Sequence, residues 1–141
     1  MTWEKSCGAL VVRRNNDNYY ILMIRHKAGG SRSFPKGHME EGESEYATAL
    51  REVMEEPSSR IAIISNFRET VTYSPSPGVM KEVVYFLGFT TEEEIHAREG
   101  EIAEVEWVPV EHAERCLTHE NDKTVFRAAM ERMKHLTVEI K

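Results

Sequence analysis

The side chains best placed to do chemistry in this chain are Glu52, Glu55 and Glu56, which stand at i, i+3 and i+4. At about 100° per residue such positions share one face of a helix, so their carboxylates become neighbours. The periodicity predicts that helix from about Glu43 to Glu56, with Tyr46, Ala47, Leu50, Val53 and Met54 on the side facing a core. Glu45, Thr48, Glu52, Glu55 and Glu56 then gather on the opposite side. Like charges at this spacing repel by roughly 0.2–0.5 kcal/mol per pair. Pro57 pushes its predecessor out of helical angles, so the three carboxylates fall in the last turn. Exposed carbonyls there already carry partial negative charge. No lysine or arginine lies four residues after Glu52 or Glu55; Arg60, beyond the proline, has that spacing from Glu56. Two readings fit this pattern. One is a solvated acidic face; the other is a seat for a hard divalent cation, which takes one or two carboxylates together with substrate phosphates.

Such a cluster needs a rigid approach and a sheet beneath it. The approach is Phe34-Pro35-Lys36-Gly37-His38, in which proline fixes the backbone and glycine permits angles that other residues resist. That glycine is therefore able to aim its carbonyl at a cation, and the Lys36 ammonium beside it is a candidate for phosphate. Before it lies a basic, glycine-containing loop from Arg25 to Arg32, either a phosphate cradle or a solvated connection. Acidic residues at a helix start favour its dipole, which gives Glu43 a structural role of its own.

The sheet is predicted from short apolar runs. Cys7 to Val12 and Tyr19 to Ile24 flank an Asn-rich turn and read as a hairpin. Ile61 to Ile64, then Phe67, Val71 and Tyr73, suggest strand, Ser74 to Gly78 is a break, and Met80 to Thr90 is the clearest later strand. Thr91 to Gly100 is polar and reads as loop. Glu104 to Val108 is a further strand, Val110 to Leu117 a short helix, and Asn121 or Asp122 caps a last helix whose core side is Val125, Phe126, Ala129, Met130 and Met133. His96 and His112 read as surface residues. Helices and strands interleave, so the expected class is α/β (α+β).

At 141 residues the chain is expected to be one domain, long enough for a substantial core. Its net charge of −6 argues against binding nucleic acid or a membrane by bulk electrostatics. Cys7 and Cys116 read as free thiols, no apolar signal segment precedes Cys7, and no run reaches membrane-spanning length. These features lead us to expect a cytoplasmic protein.

The central stretch resembles the signature of the Nudix hydrolases, G-x5-E-x7-R-E-U-x-E-E-x-G-U with U apolar. Gly37, Glu43 and Arg51-Glu52-Val53-Met54-Glu55-Glu56 fit it, whereas Ser58 and Ser59 stand where the family has glycine and an apolar residue. Many members also carry tryptophan where this chain has Arg32. The resemblance implies a mixed sheet sandwiched between helices over residues 1–141. It implies Mg²⁺, for which Mn²⁺ can substitute, held by the Gly37 carbonyl, Glu52, Glu55 and Glu56. It also implies a Glu43–Arg51 pair bracing the loop against the helix, and hydrolysis of a phosphoanhydride with Glu52, then Glu55, as the first candidates for general base.

Outside the signature, Arg68 to Tyr73 and Lys81 to Phe86 resemble the diadenosine tetraphosphate hydrolase branch. There a tyrosine matching Tyr73 stacks on adenine and a lysine matching Lys81 contacts phosphate. The run Glu101 to Trp107 resembles the branch too, and implies a further metal ligand at Glu101, with Glu104 as runner-up. The implied partner is a small nucleoside polyphosphate, cut to ATP and AMP in the diadenosine case. Other polyphosphates (a nucleoside triphosphate, an RNA 5′ end, a diphosphoinositol polyphosphate) and a nucleotide-sensing module without chemistry are the alternatives.

Overall fold

The computed structural model describes residues 1–53, 61–64, 66–91 and 102–139. Expectations that fall on Met54, Glu55, Glu56, the helix end at Pro57 to Ser59, Arg60, the segment around His96, and Glu101 lie outside the described residues. In chain order the elements are β1 (Thr2–Asn15), β2 (Asn18–His26), β3 (Arg32–Ser33), β4 (Lys36–His38) and α1 (Glu45–Val53). They continue as β5 (Ala62–Ile63), β6 (Glu69–Ser76), β7 (Val79–Thr90), β8 (Ile102–Pro109), α2 (Val110–Cys116) and α3 (Glu120–Glu139).

The sheet is mixed, and its centre is the parallel pair β1 and β7, in register from Thr2–Val79 to Arg13–Thr90. A strand in that position is covered on both faces, which is why Ser6 to Val12 is buried without interruption. Along one face Leu10, Val12, Ile21, Met23, Tyr85 and Leu87 pack with Val125, Phe126 and Ala129 of α3. Along the other, Cys7 and Val84 meet Ala49, and Ala9, Val11 and Leu22 meet Val53, both from α1. The result is the expected helix–sheet–helix sandwich.

One irregularity of the sheet positions the site. β1 and β2 pair only from Val12–Ile21 to Asn15–Asn18 beside their turn, and then diverge. β3 pairs with β2 at Ile24 and Arg25, while β4 pairs with β1 at Ser6 to Gly8. Phe34-Pro35 carries the chain across this fork, with Phe34 fully buried and edge-on to Tyr85. Gly8 is small for a stated reason: a Cβ there would run into the Pro35 carbonyl, so its absence lets β4 close against β1.

Two expectations need correction. Of the inward stripe expected for α1, Val53 is buried as expected, but Tyr46 is exposed and Ala47 and Leu50 are only partly buried. Thr48, Ala49 and Val53 are buried, the Glu45 and Glu52 side chains are only 24% and 12% exposed, and Tyr46 is 45% exposed. Positions 45, 48, 49, 52 and 53 form a regular i, i+3, i+4, i+7, i+8 stripe that is mostly polar, because its polar side chains are held by partners: Lys5 and Arg68 for Glu45, Glu43 for Thr48 and Arg51 for Glu52. Second, α3 begins before Asn121 and Asp122, so neither caps it. The His119 carbonyl accepts from the amides of Asp122 and Lys123, and Asp122 lies buried inside the first turn. A smaller adjustment concerns the break after Tyr73. β6 continues through Pro75 to Ser76 with an irregular register, and the turn itself is Pro77-Gly78.

Candidate active site

The loop before α1 is built around Arg51. Its guanidinium donates from Nε to Glu43 Oε2 at 2.6 Å and from Nη2 to Glu43 Oε1 at 3.0 Å. It also donates to the His38 carbonyl at 2.8 Å and to Glu52 Oε1 at 2.6 Å. Glu43 in turn accepts from the Glu40 amide at 2.8 Å and from the Thr48 hydroxyl at 3.0 Å. Ser44 starts the helix, its hydroxyl accepting from the Ala47 amide at 3.0 Å. One arginine thus ties β4, the loop and the helix together, and it holds Glu52 by one oxygen. A few residues away Glu45 is forked by Arg68, with two contacts of 2.8 Å, and pairs with Lys5 of β1.

These cations keep both carboxyls far below their ordinary value. The Arg51 bond, helped by the Glu40 amide, pulls Glu43 down from 4.5 to about 2. Arg68 and then Lys5 pull Glu45 down from 4.5 to about 2. A depressed folded-state pKa gives stability that is present above about 4.5 and lost as pH falls toward about 2. Glu43→Gln is therefore expected to lower the unfolding midpoint at neutral pH and to make its decline between pH 4.5 and 2 shallower, with Glu45 supplying the remaining slope. Thermal melts across that range check it; an acid limb as steep as wild type rules it out.

Gly37 faces α1. A Cβ at Gly37 would overlap the carboxylate of Glu52, so the backbone of β4 and that carboxylate are in direct contact. The glycine is needed for this approach rather than for a left-handed angle, since the positive-φ glycines are Gly29, Gly30, Gly42 and Gly78. That corrects the reason given for it from sequence. The Glu52 carboxylate is a hard oxygen donor of the kind Mg²⁺ takes. Gly37 and Glu52 are the described members of the implied ligand set, and among the described residues no group of three or more acidic, histidine or cysteine side chains is poised around one point. Glu104 lies elsewhere. It sits on β8, along the far edge of β2, paired with Arg25 at 2.6 Å.

The neighbouring residue of β4, Lys36, projects to the other face of the sheet, as strand alternation requires. There a cavity of about 730 Å³ opens between the basic loop, β6, β7 and the start of α3. Its wall brings together all three residues nominated for substrate, Lys36, Tyr73 and Lys81. Tyr73 and Lys81 are cross-strand partners on β6 and β7, and the Lys36 ammonium lies 5.7 Å from the centre of the Tyr73 ring. His26 and Lys27 line the cavity too, so the basic loop contributes to it.

Sequence reasoning missed the opposite wall. Tyr85 donates its hydroxyl to Asp122 Oδ1 at 3.3 Å inside the cavity lining. Burial raises the Asp122 carboxyl, against the pull of Lys36 and His119, and burial lowers the Lys36 ammonium, against the pull of Asp122. A signal for Asp122 existed, because it extends the apolar stripe Val125, Phe126, Ala129 backwards by three residues.

Comparison with known proteins completes the picture. The chain is 32% identical over 104 residues to the asymmetrical bis(5′-nucleosyl)-tetraphosphatase of Sus scrofa, covering 67% of this chain and 70% of that protein. It is 32% identical over 100 residues to the 8-oxo-(d)GTP phosphatase of Mycolicibacterium smegmatis, covering 71% of this chain and 30% of that one. A Mycobacterium tuberculosis relative is likewise matched over only 41% of its own length. Among solved structures, a binary complex of a C. elegans Ap4A hydrolase superposes with a TM-score of 0.83 at 20% identity, over 94% of this chain and 98% of that one, which speaks to the fold. The NUDIX domain profile matches residues 5–129. With that match over most of its length, and with Gly37, Glu43, Arg51 and Glu52 assembled as one unit, the chain belongs to the Nudix family of pyrophosphohydrolases.

Proposed function

We propose that this enzyme hydrolyses a phosphoanhydride of a dinucleoside polyphosphate of the diadenosine tetraphosphate type, giving ATP and AMP in that case. The observation that carries this reading is the pairing of the Gly37–Glu52 contact on one face of β4 with the Tyr73–Lys81 cavity on the other. A nucleoside occupies the cavity with its base against the Tyr73 ring, whose face suits any base. The polyphosphate leaves the cavity past Lys81, an ammonium that serves phosphate as a point charge. It rounds β4 to reach Glu52. Water attacks one phosphorus in line, a new P–O bond forms, the anhydride P–O bond breaks, and the water proton passes to a carboxylate, Glu52 before Glu55. Bound Mg²⁺, or Mn²⁺ in its place, supplies positive charge against the phosphate oxygens and makes water more acidic. Glu52, Glu55, Glu56, Glu101 and the Gly37 carbonyl are the residues to hold it. Glu43 and Arg51 position Glu52 rather than touching substrate.

Support comes from the names of the tetraphosphatase relatives, in Sus scrofa and again in Mus musculus, 29% identical over 120 residues and matched over 81% of its length. The mycobacterial 8-oxo-(d)GTP phosphatase supports a second reading, a nucleoside triphosphate substrate. A panel of dinucleoside polyphosphates and nucleoside triphosphates with magnesium, products read by mass spectrometry, separates the two. Diadenosine tetraphosphate is expected to yield ATP and AMP, with loss of turnover on chelation. Faster cleavage of triphosphates to monophosphate and pyrophosphate would favour the second reading, and no cleavage of either would sink both.

A further inference from the structure

Arg32 stands where many members of the family carry tryptophan, and the reaction above gives it no part. Its neighbours Ser31 and Ser33 line the cavity with His26, Lys27 and Ala28 of the same loop, whereas Arg32 itself is not in that wall. Its side chain runs to β8, where Nε lies 3.1 Å from Glu106 Oε1. That oxygen is buried and accepts no well-aligned hydrogen bond among the described residues, so the contact is an ion pair rather than a directed bond. Arg25, the cross-strand partner of Arg32, pairs with Glu104 of β8 at 2.6 Å. Like charges directly opposite destabilise a strand pair, and the two carboxylates offset that here. The backbone of Arg32 makes a second attachment. Its amide donates to the Thr118 hydroxyl at 2.9 Å, and its carbonyl accepts from the Thr118 amide at 3.3 Å. Thr118 lies in the link between α2 and α3, after the buried Leu117 and before His119, which lines the cavity. The loop after β2 and the start of α3 are thus two walls of one cavity, and these bonds join them. Packing does not hold the loop tip: Lys27, Ala28, Gly29 and Gly30 are exposed, and both glycines take positive φ, 76° and 68°.

We propose that Thr118 and Arg32 are positioning residues for nucleoside binding. Thr118 pins the base of the loop to the start of α3, the ion pair with Glu106 fixes the loop against β8, and together they set the width of the cavity. The inference rests on the nucleoside polyphosphate reading above and adds how the cavity is kept in shape for that ligand. A segment with few buried contacts opens at little cost in free energy. A protein whose binding-competent arrangement is only partly populated binds more weakly by that fraction. Pinning the loop before the ligand arrives removes that ordering cost from binding. Neither residue acts on the reacting phosphorus, so their loss is felt in KM rather than in kcat. A role confined to stability would move the melting midpoint and leave KM alone.

The test uses the whole chain with magnesium, diadenosine tetraphosphate as substrate and AMP as the binding probe. Thr118→Val keeps the shape of the side chain and the backbone bond but removes the hydroxyl. It is expected to raise KM, and the dissociation constant of AMP, by about two- to tenfold, the net worth of one hydrogen bond, with kcat within about twofold of wild type. Thr118→Ser, which keeps the hydroxyl, is expected to behave as wild type. Thr118→Ala is expected to match Thr118→Val and carries the test if that variant does not fold. Hydrogen exchange without nucleotide is expected to quicken from Lys27 to Ser31 in Thr118→Val, and also in Arg32→Met, while β1 and β7 exchange as in wild type. KM and AMP affinity unchanged by Thr118→Val, a fall in kcat as large as that in kcat/KM, or Thr118→Ser as impaired as Thr118→Val would overturn the proposal. Loop exchange at the wild-type rate would do so too, for Thr118 or for Arg32 according to the variant. Loop exchange and AMP affinity judge the two residues, and cleavage by wild type judges the function, so the two can fail separately.

Discussion

Glu52→Gln is expected to lower turnover by about 10²–10⁴-fold, the usual worth of a positioned general base, while the fold survives. The reasoning starts from what the amide keeps. Glu52 Oε1 accepts from Arg51 Nη1 at 2.6 Å, and a glutamine oxygen can accept the same bond. Its side chain is only 12% exposed and its shape is unchanged, so packing beneath α1 is preserved. What the amide loses is the negative charge and the ability to take a proton. The melting midpoint is therefore expected to stay within about 4 °C of wild type, roughly what 1 kcal/mol moves in a domain of this size. Binding of a nucleoside monophosphate in the Tyr73 cavity should change little, since that cavity opens on the other face of the sheet. Steady-state kinetics, a melt and a nucleotide titration on one preparation decide the matter. Turnover within about tenfold of wild type, which is only 1.4 kcal/mol of barrier, would remove Glu52 from the chemistry. An equal loss of nucleotide binding would mean that the two faces of β4 are not separate in function.

The legible part of this molecule was the part that follows from spacing. Regular apolar runs gave β1, β2 and β7, and the core side of α3 at Val125, Phe126 and Ala129 is as its periodicity predicts. Tyr73 and Lys81 were nominated from resemblance and Lys36 from its place beside the glycine turn, and all three line one cavity. The misreadings share a physical cause. In α1 and at the start of α3 the inward stripe carries polar residues, Glu45, Thr48 and Glu52 in one case and Asp122 in the other. Composition assigns such residues to solvent, whereas position assigns them to the interior. Position wins where a partner waits: Arg68 and Lys5 for Glu45, the neighbouring Arg51 of the same helix for Glu52, Tyr85 for Asp122. A polar residue that keeps the period of an apolar stripe is thus itself a site signal. The fork between β1 and β2 was not legible, because β3 and β4 are two and three residues long and leave no periodic pattern.

Gly37→Ala is expected to damage both activity and stability, and the pattern of damage tests why the glycine is there. Its added methyl would occupy the space of the Glu52 carboxylate. Two responses are available. The carboxylate can swing away, giving up its 2.6 Å bond with Arg51 and the place proposed for it beside the phosphate. Alternatively β4 can pull back from β1, straining the pairing of Gly37 with Cys7. Overpacking of this kind costs about 1–3 kcal/mol, and turnover is expected to fall by about 10²-fold or more as the general base is displaced. A double-mutant cycle separates contact from backbone. In Gly37→Ala with Glu52→Ala the carboxylate is gone and the methyl has room, so the stability cost of the glycine substitution should largely disappear. The coupling expected for two groups in contact is between about 0.5 and 3 kcal/mol. Turnover in the double variant should be no worse than in Glu52→Ala alone, because both changes disable one point. Strict additivity in stability and in rate would show that Gly37 is required for its backbone angles after all, and the direct apposition of β4 with Glu52 would lose its role in the proposed mechanism.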